Sequence, residues 1–397
     1  MQRKSSLITI AIDGRFLQVK QRGMPVYLFE LLKRLPLLQK NWKFCILINS
    51  AFEHNSEAEE YLPRLNHLKQ FKNVEFVDLH SEDQLFWEQK ELTKWLKENK
   101  PDLLHMPGNR VCFFSPVQQV ATFHDAMEWT HFDKIFKMPK GIGIKDKLYF
   151  LCQFYYVKLQ YILGLRKCSF VMTISKYALS ALVKNFPFIS NKIDFAYHGI
   201  PDDFLAQSPN VSFGSRKGVL MLGGDSYQKN AETAIAAWSL LPRDVRKDHP
   251  LTIVGFIGNP ASNIFKSLQK YETYEEVTLK DWVSTSELVE CFENSAAFLF
   301  VSREEGFGFP LIQAMSKGLP SVISSADVLV ELSGGAAIQS NTEDARDISN
   351  KLLKVLTNES VWQDCYKKGL ERASAFNWEY SAKRTLEVYK KVLKSEA

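Results

Sequence analysis

The sequence predicts an α/β protein built from two parallel-sheet domains. Short strand-like apolar runs alternate with helical patterns through both halves. At 397 residues the chain exceeds what one hydrophobic core commonly fills. Residues 298–324 also spell a strand, a glycine loop, a helix and a second strand in immediate succession.

In the N-terminal half, strands are expected near 7–12, 43–49, 74–78, 102–105, 119–123 and 169–174. The first, Leu7 to Ile12, leads into Asp13-Gly14-Arg15 and then Gly23-Met24-Pro25-Val26-Tyr27. The fifth ends in Phe123-His124-Asp125. A breaker-rich stretch at 198–215, with Pro201, Pro209, Ser212 and Gly214, reads as the linker. In the C-terminal half, strands are expected near 218–223, 251–255, 276–279, 296–301, 320–324 and 336–338. The first of these runs into Gly223-Gly224 and a lysine, Lys229, near a helix start.

The segment 298–324 carries the chemistry. An apolar strand, Phe298 to Val301, meets the charged turn Ser302-Arg303-Glu304-Glu305. Gly306-Phe307-Gly308-Phe309 follows, Pro310 opens a helix and Gly318 closes it. Such a loop aims backbone N–H groups at the carboxyl edge of a sheet, where anions bind and open α/β sheets hold ligands. A tight glycine turn that binds nothing reads equally well from the loop alone. Glu305 changes the balance, because a carboxylate there repels phosphate and suits neutral hydroxyls. Gln313 lies within reach of the same edge. Phosphate donors beside hydroxyl acceptors point to a nucleotide sugar.

Glu305-Gly306-Phe307-Gly308-Phe309-Pro310 resembles the signature of retaining glycosyltransferases of family 4, which have the GT-B fold. That resemblance implies two Rossmann-like domains facing a cleft. The N-terminal, acceptor-side domain would be residues 1–200 and the nucleotide-sugar domain 201–377, with a last helix, 378–397, packing back on the first. It implies that Glu305 contacts the donor sugar. The family's second Glu is Gln313 here, which still bonds ribose hydroxyls but without charge assistance. Gly223-Gly224 with Gln228-Lys229-Asn230 is similar to the family's diphosphate grip, with Gln in place of Arg at 228. Lys229 is then a point charge without the fork of Arg. Gly23 is similar to a glycine loop that faces donor phosphates, although Pro25 stands where a second Gly is common. His124 matches a histidine near the donor sugar. His131 reads as structural or acceptor-side. Donor-binding residues are thus expected at Gly23, Gly224, Lys229, Phe307, Gly308, Phe309 and Gln313, and catalytic ones at His124 and Glu305. No D-x-D sequence occurs, and no metal or other cofactor is expected.

Composition sets the other bounds. No apolar run reaches the ~18 residues that span a bilayer, and six scattered cysteines without a C-x-x-C pair suit reduced thiols in the cytoplasm. A net charge of +5 does not argue for nucleic acid. Residues 132–168 interleave lysines and arginines with aromatics, and 146–165 reads as an amphipathic or largely apolar helix. Two readings stay open there: a core helix with a solvated basic end, or peripheral contact with the inner membrane. The resemblance implies hexose transfer, with mannose as the guess, to a glycan or lipid-linked acceptor in polysaccharide or lipopolysaccharide synthesis. The competing reading is a binding or partner subunit on the same fold, favoured by Gln228 and Gln313. A Rossmann dehydrogenase is disfavoured because no G-x-G-x-x-G follows the first strand.

Overall fold

The computed structural model describes residues 7–19, 23–52, 58–131, 143–205, 211–256 and 262–394. Arg22, which beside Gly23 reads from the sequence as a phosphate contact or a solvent-facing residue, lies outside them, as do the lysines at 134, 137 and 140 and Pro209. The chain divides into two compact units, Met1–His198 with Asn377–Ala397, and Gly199–Phe376.

The first unit holds a seven-stranded parallel sheet in the order β3-β2-β1-β4-β5-β6-β7. The strands are β1 (Thr9–Asp13), β2 (Lys43–Ile48), β3 (Val74–Asp78), β4 (Leu103–Met106), β5 (Gln119–Thr122), β6 (Phe170–Thr173) and β7 (Ile193–Phe195). The central strands are apolar without alternation because helices cover both faces of a parallel sheet. Ile10, Leu103, Leu104 and Val120 have no solvent exposure. The edge strand β7 is absent from the sequence reading. Its three half-buried residues, Ile-Asp-Phe, carry too little pattern to stand out.

A helix at Trp378–Lys394 completes this unit. Trp378 and Tyr389 are buried. The Tyr389 hydroxyl lies 2.6 Å from His105 Nδ1, and His105 Nε2 lies 2.8 Å from Thr122 Oγ1. Arg384 pairs with Asp194 of β7. The helix is therefore tied to β4 and β7 by specific polar contacts, and through His105 to β5, as well as by apolar burial.

The second unit holds a six-stranded parallel sheet in the order β10-β9-β8-β11-β12-β13. Its strands are β8 (Val219–Leu222), β9 (Leu251–Val254), β10 (Val277–Lys280), β11 (Ala297–Phe300), β12 (Ser321–Ile323) and β13 (Ile338–Gln339). Trp238, Leu251, Ile253, Leu299 and Trp362 sit in its core. The strand positions expected from sequence hold to within one or two residues at the ends.

In each sheet the strand order reverses beside the first strand, between β1 and β4 and between β8 and β11. At such a reversal neighbouring crossovers leave in opposite directions, which opens a crevice beyond the strand carboxyl ends. The residues placed there are Asp13-Gly14 and Pro107–Asn109 in the first unit. In the second they are Gly223-Gly224 and the turn Ser302–Glu305.

Candidate functional site

In the second unit, β8 ends at Leu222 and the chain turns at Gly223, whose φ is +142°. That backbone conformation disfavours a side chain, and a Cβ would stand 3.0 Å from Lys229 Cγ. The stem of Lys229 lies across this bare backbone. A Cβ on Gly224 would stand 3.3 Å from the Gly255 carbonyl, so the ends of β8 and β9 approach closely. A short 3-10 turn, Tyr227–Lys229, precedes Asn230, which is left-handed at φ +54°. Asn tolerates that conformation better than most residues. Its buried amide also donates to the Val301 and Thr342 carbonyls at 3.0 and 2.8 Å. The helix Ala231–Ser239 then begins.

From the neighbouring strand, Ser302–Glu305 rises beside this turn. Lys229 Nζ lies 2.7 Å from Glu305 Oε1. The side chains are 29% and 12% exposed, so the pair is partly withdrawn from water. Arg303 locks the two turns together. Its backbone N–H donates to the Gln228 carbonyl at 2.8 Å. Its guanidinium donates to the Tyr227 carbonyl at 2.8 Å, to Glu232 at 3.1 Å and to both oxygens of Glu343 at 2.7 and 3.0 Å. It also stacks over the Tyr227 ring, 4.4 Å from the centroid. Planar bidentate pairing of this kind fixes geometry in a way a lysine cannot. Sequence reading did not single out Arg303, because its partners are scattered from 227 to 343.

Beyond Glu305, Phe307 is buried and its ring meets those of Phe309 and Phe376. Gly308 is left-handed at φ +104° and caps the helix Phe309–Ser316. A Cβ there would meet Leu329 Cδ2 at 2.8 Å. Gly308→Ala is expected to lower the unfolding free energy by about 1–3 kcal/mol, from backbone strain and the steric contact together. Urea unfolding of the purified variant checks this, and an unchanged midpoint refutes it. Gln313 is half-buried on the first turns of that helix. No hydrogen bond joins Gln313 or Gln228 to Lys229 or Glu305 through its side chain.

The first unit assembles a separate group. Gly23, at φ +43°, caps the helix Met24–Leu32, and its carbonyl accepts the Tyr27 N–H at 3.0 Å. The buried Tyr27 ring stands edge-on to His124, centroids 5.0 Å apart, and packs on His198 and Trp378. Its hydroxyl is 3.0 Å from Thr122 Oγ1. Tyr27 therefore links the Gly23 turn to the end of β5. His124 is itself buried. Its backbone N–H donates to Asn109 Oδ1 at 2.7 Å and its Nε2 to the Pro107 carbonyl at 2.8 Å. A carbonyl only accepts, so Nε2 carries hydrogen and Nδ1 keeps its lone pair. Burial lowers the pKa of His124 to about 4, so the ring is neutral near pH 7. Asn109, left-handed at φ +55°, sets this arrangement. The turn dipeptide Gly108-Asn109 was the available sequence signal. His131 bonds the adjacent Thr130 hydroxyl at 2.9 Å.

Of the expected residues, Lys229 and Glu305 meet directly, with Gly224 at the same sheet edge. Phe307, Gly308, Phe309 and Gln313 lie on the loop and helix that follow Glu305. Gly23 and His124 meet through Tyr27. The second unit's arrangement offers a cation at a glycine turn with a carboxylate alongside. Such a pair can bind an anion and neutral hydroxyls side by side.

Residues 205–372 match the family described as Glycosyl transferases group 1, and residues 22–204 match Glycosyltransferase Family 4. The chain belongs to the family 4 type of glycosyltransferases with the GT-B fold. It is 24% identical over 306 residues to the O-antigen chain mannosyltransferase B of Escherichia coli, covering 74% of this chain and 76% of that one. Sucrose-phosphate synthase from Thermosynechococcus elongatus has the same fold, with a TM-score of 0.69 at 16% identity over 98% of this chain and 100% of that one. So does HepE from Anabaena in complex with UDP and glucose, with a TM-score of 0.67 at 14% identity over 97% and 100%.

Proposed function

We propose that this glycosyltransferase moves a hexose, mannose by analogy with its E. coli relative, from a nucleoside-diphosphate sugar to a glycan or lipid-linked acceptor. The setting is cell-envelope polysaccharide or lipopolysaccharide synthesis, with retention at the anomeric carbon. The observation that carries the reading is the meeting of Lys229 and Glu305 at the strand-order reversal of the second sheet. In the reaction the bond from the anomeric carbon to the phosphate oxygen breaks, and the diphosphate leaves with the electron pair. An acceptor hydroxyl oxygen bonds to that carbon and passes its proton to the departing diphosphate oxygen. Lys229 stabilises the negative charge gathering on the diphosphate, which makes a metal unnecessary in this scheme. Glu305 accepts from sugar hydroxyls and favours positive charge on the ring. Neutral His124 orients the sugar or acceptor through Nδ1, and Gln313 bonds ribose.

The test is turnover of GDP-, UDP-, dTDP- and ADP-hexoses with purified protein and envelope glycolipid extract, followed by mass spectrometry of the acceptor. Hexose added from one donor supports the proposal. Nucleotide binding without transfer to any acceptor, in protein whose folding is verified, would favour the partner-subunit reading that Gln228 and Gln313 suggest.

A lipid-linked acceptor also accounts for the helix Ile144–Leu159, which continues through a π-helical turn, Gln160–Gly164, to Lys167. Its inner side is anchored: Val157 and Tyr161 are buried and Tyr156 donates to Glu88. Ile144, Leu148, Leu151, Tyr155 and Leu159 are exposed at spacings that align them on one face. Residues 143–167 carry five cations, Lys145, Lys147, Lys158, Arg166 and Lys167, against one carboxylate, Asp146. Apolar stripe and positive charge together fit an anionic lipid surface. No helix among the described residues is long and apolar enough to cross a membrane. Leu148→Glu with Leu151→Glu is expected to weaken co-sedimentation with phosphatidylglycerol vesicles at least about tenfold, since each buried leucine contributes roughly 1.5–3 kcal/mol. Equal binding by the variant refutes a lipid-facing stripe.

A further inference from the structure

The structure assigns the Lys229–Glu305 ion pair a selective role: it lets the site distinguish an intact nucleotide sugar from the bare nucleoside diphosphate. This rests on the nucleotide-sugar reading above and concerns how that site chooses its occupant.

Three observations support it. The ammonium and carboxylate are 2.7 Å apart, so a diphosphate approaching Lys229 competes with Glu305 for one cation and stands beside a like charge. The carboxylate is only 12% exposed, so water compensates little for the loss of its partner. The backbones that carry the two residues are held beside one another. Arg303 ties the turn before Lys229 to the turn carrying Glu305 through the Gln228 and Tyr227 carbonyls, and Glu232 and Glu343 hold its guanidinium. On its other side the Lys229 stem lies against Gly223.

The consequence follows from which groups each ligand brings. A bare diphosphate takes the ammonium and offers Glu305 no donor in return. A nucleotide sugar takes the same ammonium but brings neutral hydroxyls, which donate to the carboxylate oxygens that Lys229 gives up. The conjugate exchanges one set of charge-assisted bonds for another, whereas the diphosphate leaves a half-buried carboxylate uncompensated. Glu305 is thus a specificity determinant as well as a sugar contact. It weakens the hold on the leaving diphosphate once the sugar has gone, which speeds product departure.

Calorimetric titration tests this with GDP, UDP and their hexose conjugates, using wild type and Glu305→Gln. Gln keeps the size and hydrogen-bonding capacity but removes the charge. The expected result is bare diphosphate binding about tenfold tighter or more in Glu305→Gln, with no gain for the conjugate, so that the wild-type preference collapses. Unchanged or weaker diphosphate binding by a folded Glu305→Gln overturns the inference while leaving the nucleotide-sugar reading intact. Wild type that binds neither ligand overturns both. Should Glu305→Gln fail to fold, Lys229→Gln asks the same question from the other side. There the diphosphate should lose several-fold more affinity than the conjugate, which keeps its hydroxyl bonds to Glu305. Equal losses overturn the inference.

Discussion

Replacing Lys229 by Ala is expected to weaken binding of the donor nucleotide sugar by about 10- to 100-fold, measured by calorimetry against whichever nucleotide the wild type prefers. The magnitude follows from the loss of a charge-assisted hydrogen bond at a partly shielded site, roughly 1.5–3 kcal/mol. Several features make this the largest single-residue effect predicted for binding. Gln228 supplies no cation where similar enzymes carry Arg. Arg303, on the neighbouring turn, is already engaged by Glu232 and Glu343. On the proposed function, Lys229 is then the cation that meets the diphosphate at this turn. The substitution also leaves Glu305, 12% exposed, without its ion-pair partner, so the folding of the variant is verified by urea unfolding before titration. A folded Lys229→Ala protein with wild-type affinity would show that the phosphates bind elsewhere.

The second large effect concerns acid stability. Burial lowers His105 to about 3 and His124 to about 4, and pushes His198 well below its ordinary value. In the unfolded chain each titrates near 6.5. Below that value the unfolded state binds protons that the folded state refuses, so stability falls as pH falls. It is fully present above about pH 6.5 and declines continuously toward pH 4. Each histidine contributes a slope of roughly 1.4 kcal/mol per pH unit, about 4 for the three together. Urea unfolding at pH 7.5, 6.5 and 5.5 checks this in a window where few carboxylates titrate. His105→Gln or His124→Gln should each remove roughly 1.4 kcal/mol per pH unit of the slope. A flat profile across that window would show that these rings can be protonated in the folded protein.

What could be read in advance divides along physical lines. The strands were legible because fully buried parallel strands are short apolar runs with punctuation on both sides. The loop at 305–310 was legible because glycine, proline and a charged residue at fixed offsets encode one local geometry. The bracing of that loop was not. Arg303 meets Tyr227, Glu232 and Glu343 only after three segments have folded together. The same holds for Tyr389 against His105, 284 positions away in the chain. His124 stood out as a histidine at a strand end, but its neutrality depends on burial against Tyr27 and His198, which no local pattern reveals. Local chemistry is written locally, whereas the environment that tunes it is assembled from distant parts.

The return of the last helix to the first unit has a consequence for how the protein is made. Residues 199–376 are synthesised between the two segments of the unit that surrounds them in sequence. The second unit is one contiguous segment and needs no residue made after it. The first does: until Trp378–Lys394 is available, His105 lacks its tyrosine and Asp194 its arginine. The half of the molecule that is translated first is therefore the half completed last, and a chain without Trp378–Lys394 leaves the first sheet lacking these contacts.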